Sequence, residues 1–232
     1  MMKYLILLTT CISFVAHADY SESEFKSDLS SAYTNKTSQD IWLYGGSTTL
    51  ALVLFRDQLV EPIQDDIAEK KPLGRASLIG DYAGQLVPNV IYMSYQLWFL
   101  NTPESQRRGK YMLKASAFAG MTTFFLKRLI NEKRPHGGDR NSMPSGHTTT
   151  AFAFASVIGI EHPEWKWYGY GLATFIGLSR MNDNEHYLHN VTMGATIGMA
   201  YGYGLQNSKS FMSNTMVLPL NDGGMVAYNY KF

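Results

Sequence analysis

The sequence predicts an all-α fold, a bundle of about six core helices followed by a C-terminal β-hairpin. Three observations lead there. Apolar stretches of helical length recur at residues 41–55, 83–100, 111–130, 144–160, 165–178 and 191–205, separated by charged or Pro/Gly-containing segments. Helix-start chemistry precedes one of them, with Thr102 suited to cap and Pro103 to the first helical position. In the last stretch Gly194, Gly198 and Gly202 recur every four residues, leaving a flat ridge on which a second helix can pack closely.

Taken in order, residues 1–18 read as a secretory signal peptide. Lys3 supplies the positive start, residues 4–15 the apolar run, and Ala16, His17 and Ala18 a small-x-small cleavage site before Asp19. Residues 19–40 are polar and Ser-rich, expected as an N-terminal arm or short capping helix. The first core helix is expected over 41–55. Residues 56–71 are charged and end at Pro72, which suggests a solvated connection with a helical turn, and 73–81 reads as a loop able to overhang a pocket. Pro88 should kink or restart the second helix, over 83–100. Residues 131–143 form a polar loop with Gly137, Gly138, Arg134 and Arg140. The core domain is placed at 41–210. Residues 211–232 form the hairpin, where 216–220 and 225–232 flank Asn221, Asp222, Gly223 and Gly224, and Val226, Tyr228, Tyr230 and Phe232 share one face.

Composition narrows the function. The chain has 232 residues and a formal net charge of +1, so nothing points to a nucleic-acid partner. Its one cysteine, Cys11, falls in the signal. The mature chain therefore offers neither disulfides nor thiol chemistry in an oxidising compartment. A spanning helix needs about 20 predominantly apolar residues. Most apolar stretches here are shorter between charges, the longer ones are diluted by Gln, Asn, Pro, Gly and Tyr, and the mean hydropathy is −0.16. A soluble periplasmic protein is favoured over an integral membrane one, with contact to a membrane surface kept as a partner.

Three groups of residues carry chemistry. Lys127 stands seven residues before Arg134, which Pro135 holds extended. Pro144, Ser145, Gly146 and His147 open a helix, where free N–H groups and a hydroxyl make a seat for an oxyanion. Ser179 and Arg180 precede His186, His189 and Asn190. In this last group Asn182 followed by Glu185 reads as a capping box, so a helix is expected to begin near Asp183 with His186 in its first turn. His186 and Asn190, four apart, are then predicted to meet, the amide reaching the imidazole. The set combines three cations, an anion-binding helix start and two imidazoles, an inventory suited to phosphoryl transfer.

The pattern Lys-x6-Arg-Pro, Pro-Ser-Gly-His, Ser-Arg-x5-His resembles the type 2 phosphatidic acid phosphatase (PAP2) superfamily, which includes class A acid phosphatases and vanadium haloperoxidases. The likeness covers roughly residues 110–205. It implies an all-helical bundle and a phosphatase without metal or other cofactor, acting on phosphate monoesters or lipid phosphates. It places His186 at the nucleophile, His147 at the acid, and Lys127, Arg134, Ser145, Gly146 and Arg180 at phosphate-binding positions. Vanadate-dependent peroxidase chemistry is the alternative within the superfamily. One position departs from the pattern: the family aspartate that would hold the nucleophilic histidine is Asn190. Asparagine can accept the ring N–H but brings no charge, which admits a further alternative, a site that binds phosphate or phospholipid without turnover. Asp183 is the nearby carboxylate that could compensate.

Overall fold

A computed structural model describes residues 22–208, 215–220 and 223–228. The signal peptide expected at 1–18 lies outside them. Nine α-helices are present among the described residues, more than the six expected, because segments read as connections are helical.

Residues of the expected polar arm form α1 (Glu22–Thr34) and the first turn of α2 (Lys36–Leu54), which Asn35 caps by accepting the Ser38 N–H. The connection expected over 56–71 is a π-helical turn at Arg56–Val60 followed by α3 (Glu61–Lys70), ended by Lys71 in the left-handed conformation. The loop expected over 73–81 is a 3₁₀ turn (Gly74–Ala76) leading into α4 (Ser77–Gly84). Asn182 Oδ1 accepts the Leu73 N–H and Ser77 Oγ donates to the Gly74 carbonyl, which fixes the start of the helix. Pro88 restarts the chain as expected, at the beginning of α5 (Val87–Ser94), which runs into a π-helical stretch at Tyr95–Leu100.

The capping of α6 (Pro103–Ile130) follows its sequence closely. Thr102 Oγ1 accepts the Ser105 N–H and Ser105 Oγ accepts the Thr102 N–H. Beyond the loop at 131–145 come α7 (Gly146–Glu161), α8 (Lys166–Asn182) and α9 (Leu188–Gly204). Strands β1 (Thr215–Leu220) and β2 (Gly223–Tyr228) pair antiparallel with Val217 opposite Val226; Gly223 and Gly224, expected in the turn, belong to β2.

The main core lies between α6, α7 and α9, where Met112, Phe118, Val157, Ile197 and Tyr201 are buried together. A smaller cluster of Ala151, Ala155, Ala173 and Ile176 joins α7 to α8. The glycine ridge of α9 faces α7. A Cβ on Gly194 would stand 2.6 Å from the Ser145 carbonyl oxygen, and one on Gly198 would stand 2.3 Å from that of Thr149. Only hydrogen atoms on that face let the two backbones come so near. The contact brings the start of α7, with Ser145 and His147, against the start of α9, with His186 and Asn190 just before and within it.

Candidate active site

Lys127 sits in the last turn of α6, buried, with Nζ donating to the Asn141 carbonyl at 2.5 Å. Burial, reinforced by the neighbouring Arg134, pushes its pKa down to about 7. Arg134 reaches from the loop and is held by two carboxylates, Asp139 at 2.7 Å and Glu185 at 2.7 Å. Its Nη1 also stands 3.4 Å from His186 Nε2.

Ser145 is the N-cap of α7. Its N–H donates to the Asn190 carbonyl and its Oγ accepts from Thr148 Oγ1. Gly146 opens the helix and His147 follows, its ring against Gly84 at the end of α4, where a Cβ would stand 2.6 Å from the ring. His147 Nε2 is 3.2 Å from Asp81 Oδ1, yet the two groups are not aligned as a hydrogen bond, so the contact is read as electrostatic. Burial and Arg180 push the His147 pKa down to about 4, against the opposing pull of Asp81. Arg180 is buried in the last turn of α8, with Nη1 2.5 Å from Asp81 and 3.4 Å from Asp183.

His186 is buried, in a turn rather than a helix. The capping box read at Asn182 and Glu185 does not form. Asn182 still belongs to α8, Asn184 takes a positive φ of 59°, and the N–H groups of Glu185 and His186 return to the Arg180 carbonyl. The left-handed residue reverses the chain before a helix can start, and α9 begins only at Leu188. His186 and Asn190 consequently do not meet. His186 Nδ1 is buried with no hydrogen-bond partner. The Asn190 side chain instead accepts from Ser142 Oγ at 2.6 Å and the Tyr187 N–H at 3.0 Å, and donates to Glu132 Oε2 at 2.6 Å. Asp183, the nearby carboxylate that could compensate, is turned to Arg180. Burial, then the charges of Lys127 and Arg134, pull the His186 pKa well below the ordinary histidine value, so the ring is neutral.

The structure thus gathers the predicted residues from α6, the following loop, α7, α8 and the α8–α9 turn. It adds two carboxylates that sequence reasoning left out. Asp81 was within a segment suspected of covering a pocket, but only the packing of α4 on α8 shows that it faces Arg180. Glu132 sits inside the Lys127–Arg134 spacing, where a carboxylate among four cationic residues was the available signal. His136 Nε2 stands 3.5 Å from Glu185, the carboxylate that also holds Arg134, and His162 is engaged away from the site, its Nε2 3.0 Å from the Tyr92 hydroxyl.

The PAP2 superfamily model matches residues 76–210, more than half of the chain. The chain belongs to the PAP2 superfamily. It is similar to a lipid A 1-phosphatase of Porphyromonas gingivalis, 34% identical over 149 residues that make up 60% of this chain and 33% of that protein. A lipid A 1-phosphatase of Rhizobium etli is 29% identical over 105 residues, 39% of this chain and 45% of that protein. The chain therefore spans between a third and a half of the curated relatives it matches. In fold it is similar to the crystal structure of Aquifex aeolicus LpxE, with a TM-score of 0.51 at 20% identity over 62% of this chain and 92% of the other. That PAP2 likeness agrees with the helical bundle seen here.

Proposed function

We propose that this protein is an exported phosphatase that hydrolyses a lipid phosphate through a phosphohistidine on His186. The observation that carries the reading is the convergence of Lys127, Arg134 and Arg180 on the space beside His147 and His186, inside a PAP2 fold. The lipid A 1-phosphatases among its relatives favour a lipid phosphate over a small soluble ester.

The chemistry follows from the atoms present. Arginine can only donate, so the approach of Arg134 to His186 Nε2 favours the tautomer with its lone pair on Nε2 and its proton on Nδ1. Nε2 attacks phosphorus in line, the bond to the ester oxygen breaks, and His147 gives that oxygen a proton. Charge on the equatorial oxygens is met by Lys127, Arg134, Arg180 and the N–H groups at the start of α7. Water then hydrolyses the phosphohistidine with His147 as base. His147 has to be protonated to act as acid. A dianionic phosphate displacing Asp81 from Arg180 supplies the negative charge that raises its pKa from about 4.

Two surface features support a lipid substrate. Val87, Pro88, Ile91, Tyr92, Tyr95 and Phe154 line an open apolar groove of about 440 Å³. It is formed by α5, the π-helical stretch after it and Phe154 of α7, and its apolar lining suits an acyl chain. Trp98, Phe99, Trp165, Trp167 and Tyr168 are exposed, as side chains that sit at a membrane interface are. No helix among the described residues is long and apolar enough to cross a membrane, so the proposal is contact with a bilayer surface.

A phosphate-release assay tests the reading, run on a soluble monoester and on lipid phosphates in micelles, with and without EDTA. EDTA-resistant release from the lipid is expected. Absence of release from every ester, with phosphate still bound, would favour binding without turnover, the reading that the unpartnered Nδ1 of His186 supports.

A further inference from the structure

A carboxylate stands beside Asn190, on Glu132. Its Oε2 accepts the Asn190 Nδ2–H at 2.6 Å, while its Oε1 is 2.8 Å from His189 Nε2 and 3.2 Å from Arg56 Nη1. Asn190 is wholly buried, and its Oδ1 is committed to the Tyr187 N–H and the Ser142 hydroxyl. His186 is therefore bracketed by backbone bonds, its own N–H on the Arg180 carbonyl at 3.3 Å and the next N–H on Asn190.

We infer that Glu132 is a positioning residue for His186, acting through Asn190: the buried carboxylate–amide pair fixes the Tyr187 N–H and with it the backbone that carries His186, without touching the imidazole ring. The pair orients Asn190 unambiguously. A carboxylate only accepts, so the amide NH2 must face Glu132 and the amide oxygen must face Tyr187 and Ser142. Arg56 and His189 keep Glu132 ionised despite its burial. This rests on the phosphohistidine reading and adds to it a residue that the family pattern does not contain.

The pairing is directional, so it can be reversed. Glu132→Gln removes the charge and sets a donor against Arg56, and kcat should fall about 10- to 100-fold with KM little changed, as for a displaced nucleophile. Asn190→Asp sets two carboxylates 2.6 Å apart, where only one can ionise. Its activity should therefore show an added loss as pH rises and the shared proton leaves. The titratable and charged groups facing that pair are Arg56 and His189, and those facing His186 are Lys127, Arg134, His147 and Arg180. The double variant Glu132→Gln/Asn190→Asp restores one carboxylate and one amide. It should recover most of the wild-type kcat and lose the extra pH limb.

A double variant no better than the worse single, or a Glu132→Gln protein with unchanged kcat, would overturn the inference. If the wild-type protein hydrolyses no phosphate ester, the functional reading fails separately. The same four proteins are then compared by orthovanadate affinity, which depends on an imidazole nitrogen standing in line with the metal. The same fall and recovery would support the pairing, and equal affinities would refute it.

Discussion

Gly194 stands so close to Ser145 that a Cβ would fall 2.6 Å from the Ser145 carbonyl oxygen. The same approach repeats one turn on, where Gly198 faces the Thr149 carbonyl and the Ala153 N–H at 2.3 and 2.7 Å. Backbone cannot move aside as a flexible side chain can. Gly198→Ala should therefore force α7 and α9 apart and cost about 1–3 kcal/mol, read as a lower midpoint in urea denaturation. Because the two helix starts carry His147 and His186, the folded variant should also lose activity. A Gly198→Ala protein with wild-type stability would show that the helices can separate freely.

Far from the site, Lys114 of α6 and Asp28 of α1 form a buried ion pair at 2.8 Å, joined by the Ser208 hydroxyl. Lys114→Met removes one member of this buried ion pair, with an expected loss of about 3–5 kcal/mol. Chemical denaturation measures it. The folded fraction should keep its activity, which separates this variant from Gly198→Ala.

Lys127 gives a pH dependence whose sign is fixed. With its pKa pushed down to about 7, it is charged below that pH and loses its charge above it. Sulfate keeps a constant charge through this range, so its inhibition constant should rise as pH passes 7. Lys127→Met should bind sulfate weakly at every pH, without that inflection. An unchanged inflection in Lys127→Met would assign it to another group.

Asp81 raises the pKa of His147 against burial and Arg180. Asp81→Asn removes that support, so the pKa of His147 should fall further and the corresponding limb of the kcat/KM profile should move to lower pH. The same change frees Arg180 from a carboxylate 2.5 Å away, so sulfate should bind more tightly. A pH–rate profile and sulfate inhibition measure the two effects.

Much of this site was legible because its parts are local. Thr102 and Ser105 cap α6 through bonds that span three residues, and the Ser145–His147 seat and the glycine ridge each belong to one element. What the sequence hid was set by distance or by a competing local choice. Asp81 and Arg180 are 99 residues apart and Glu132 and Asn190 are 58 apart, so only packing pairs them. The cap read at Asn182 failed because Asn184 adopts the left-handed turn, a conformation to which asparagine is suited, and that choice took His186 out of the helix. The polar segments 19–40 and 56–71 read as an arm or short capping helix and as a connection with a helical turn, because few of their residues are apolar. Their described parts form α1, the first turn of α2, a π-helical turn and α3, which present narrow buried faces, such as Asp28 and Ala32 in α1 and Gln64 in α3.

The most direct test compares phosphate release from a lipid 1-phosphate by wild-type protein and by His186→Ala, with folding of both confirmed by circular dichroism. The phosphohistidine account predicts steady release by the wild type and none above background by His186→Ala. Release by His186→Ala at the wild-type rate would contradict it.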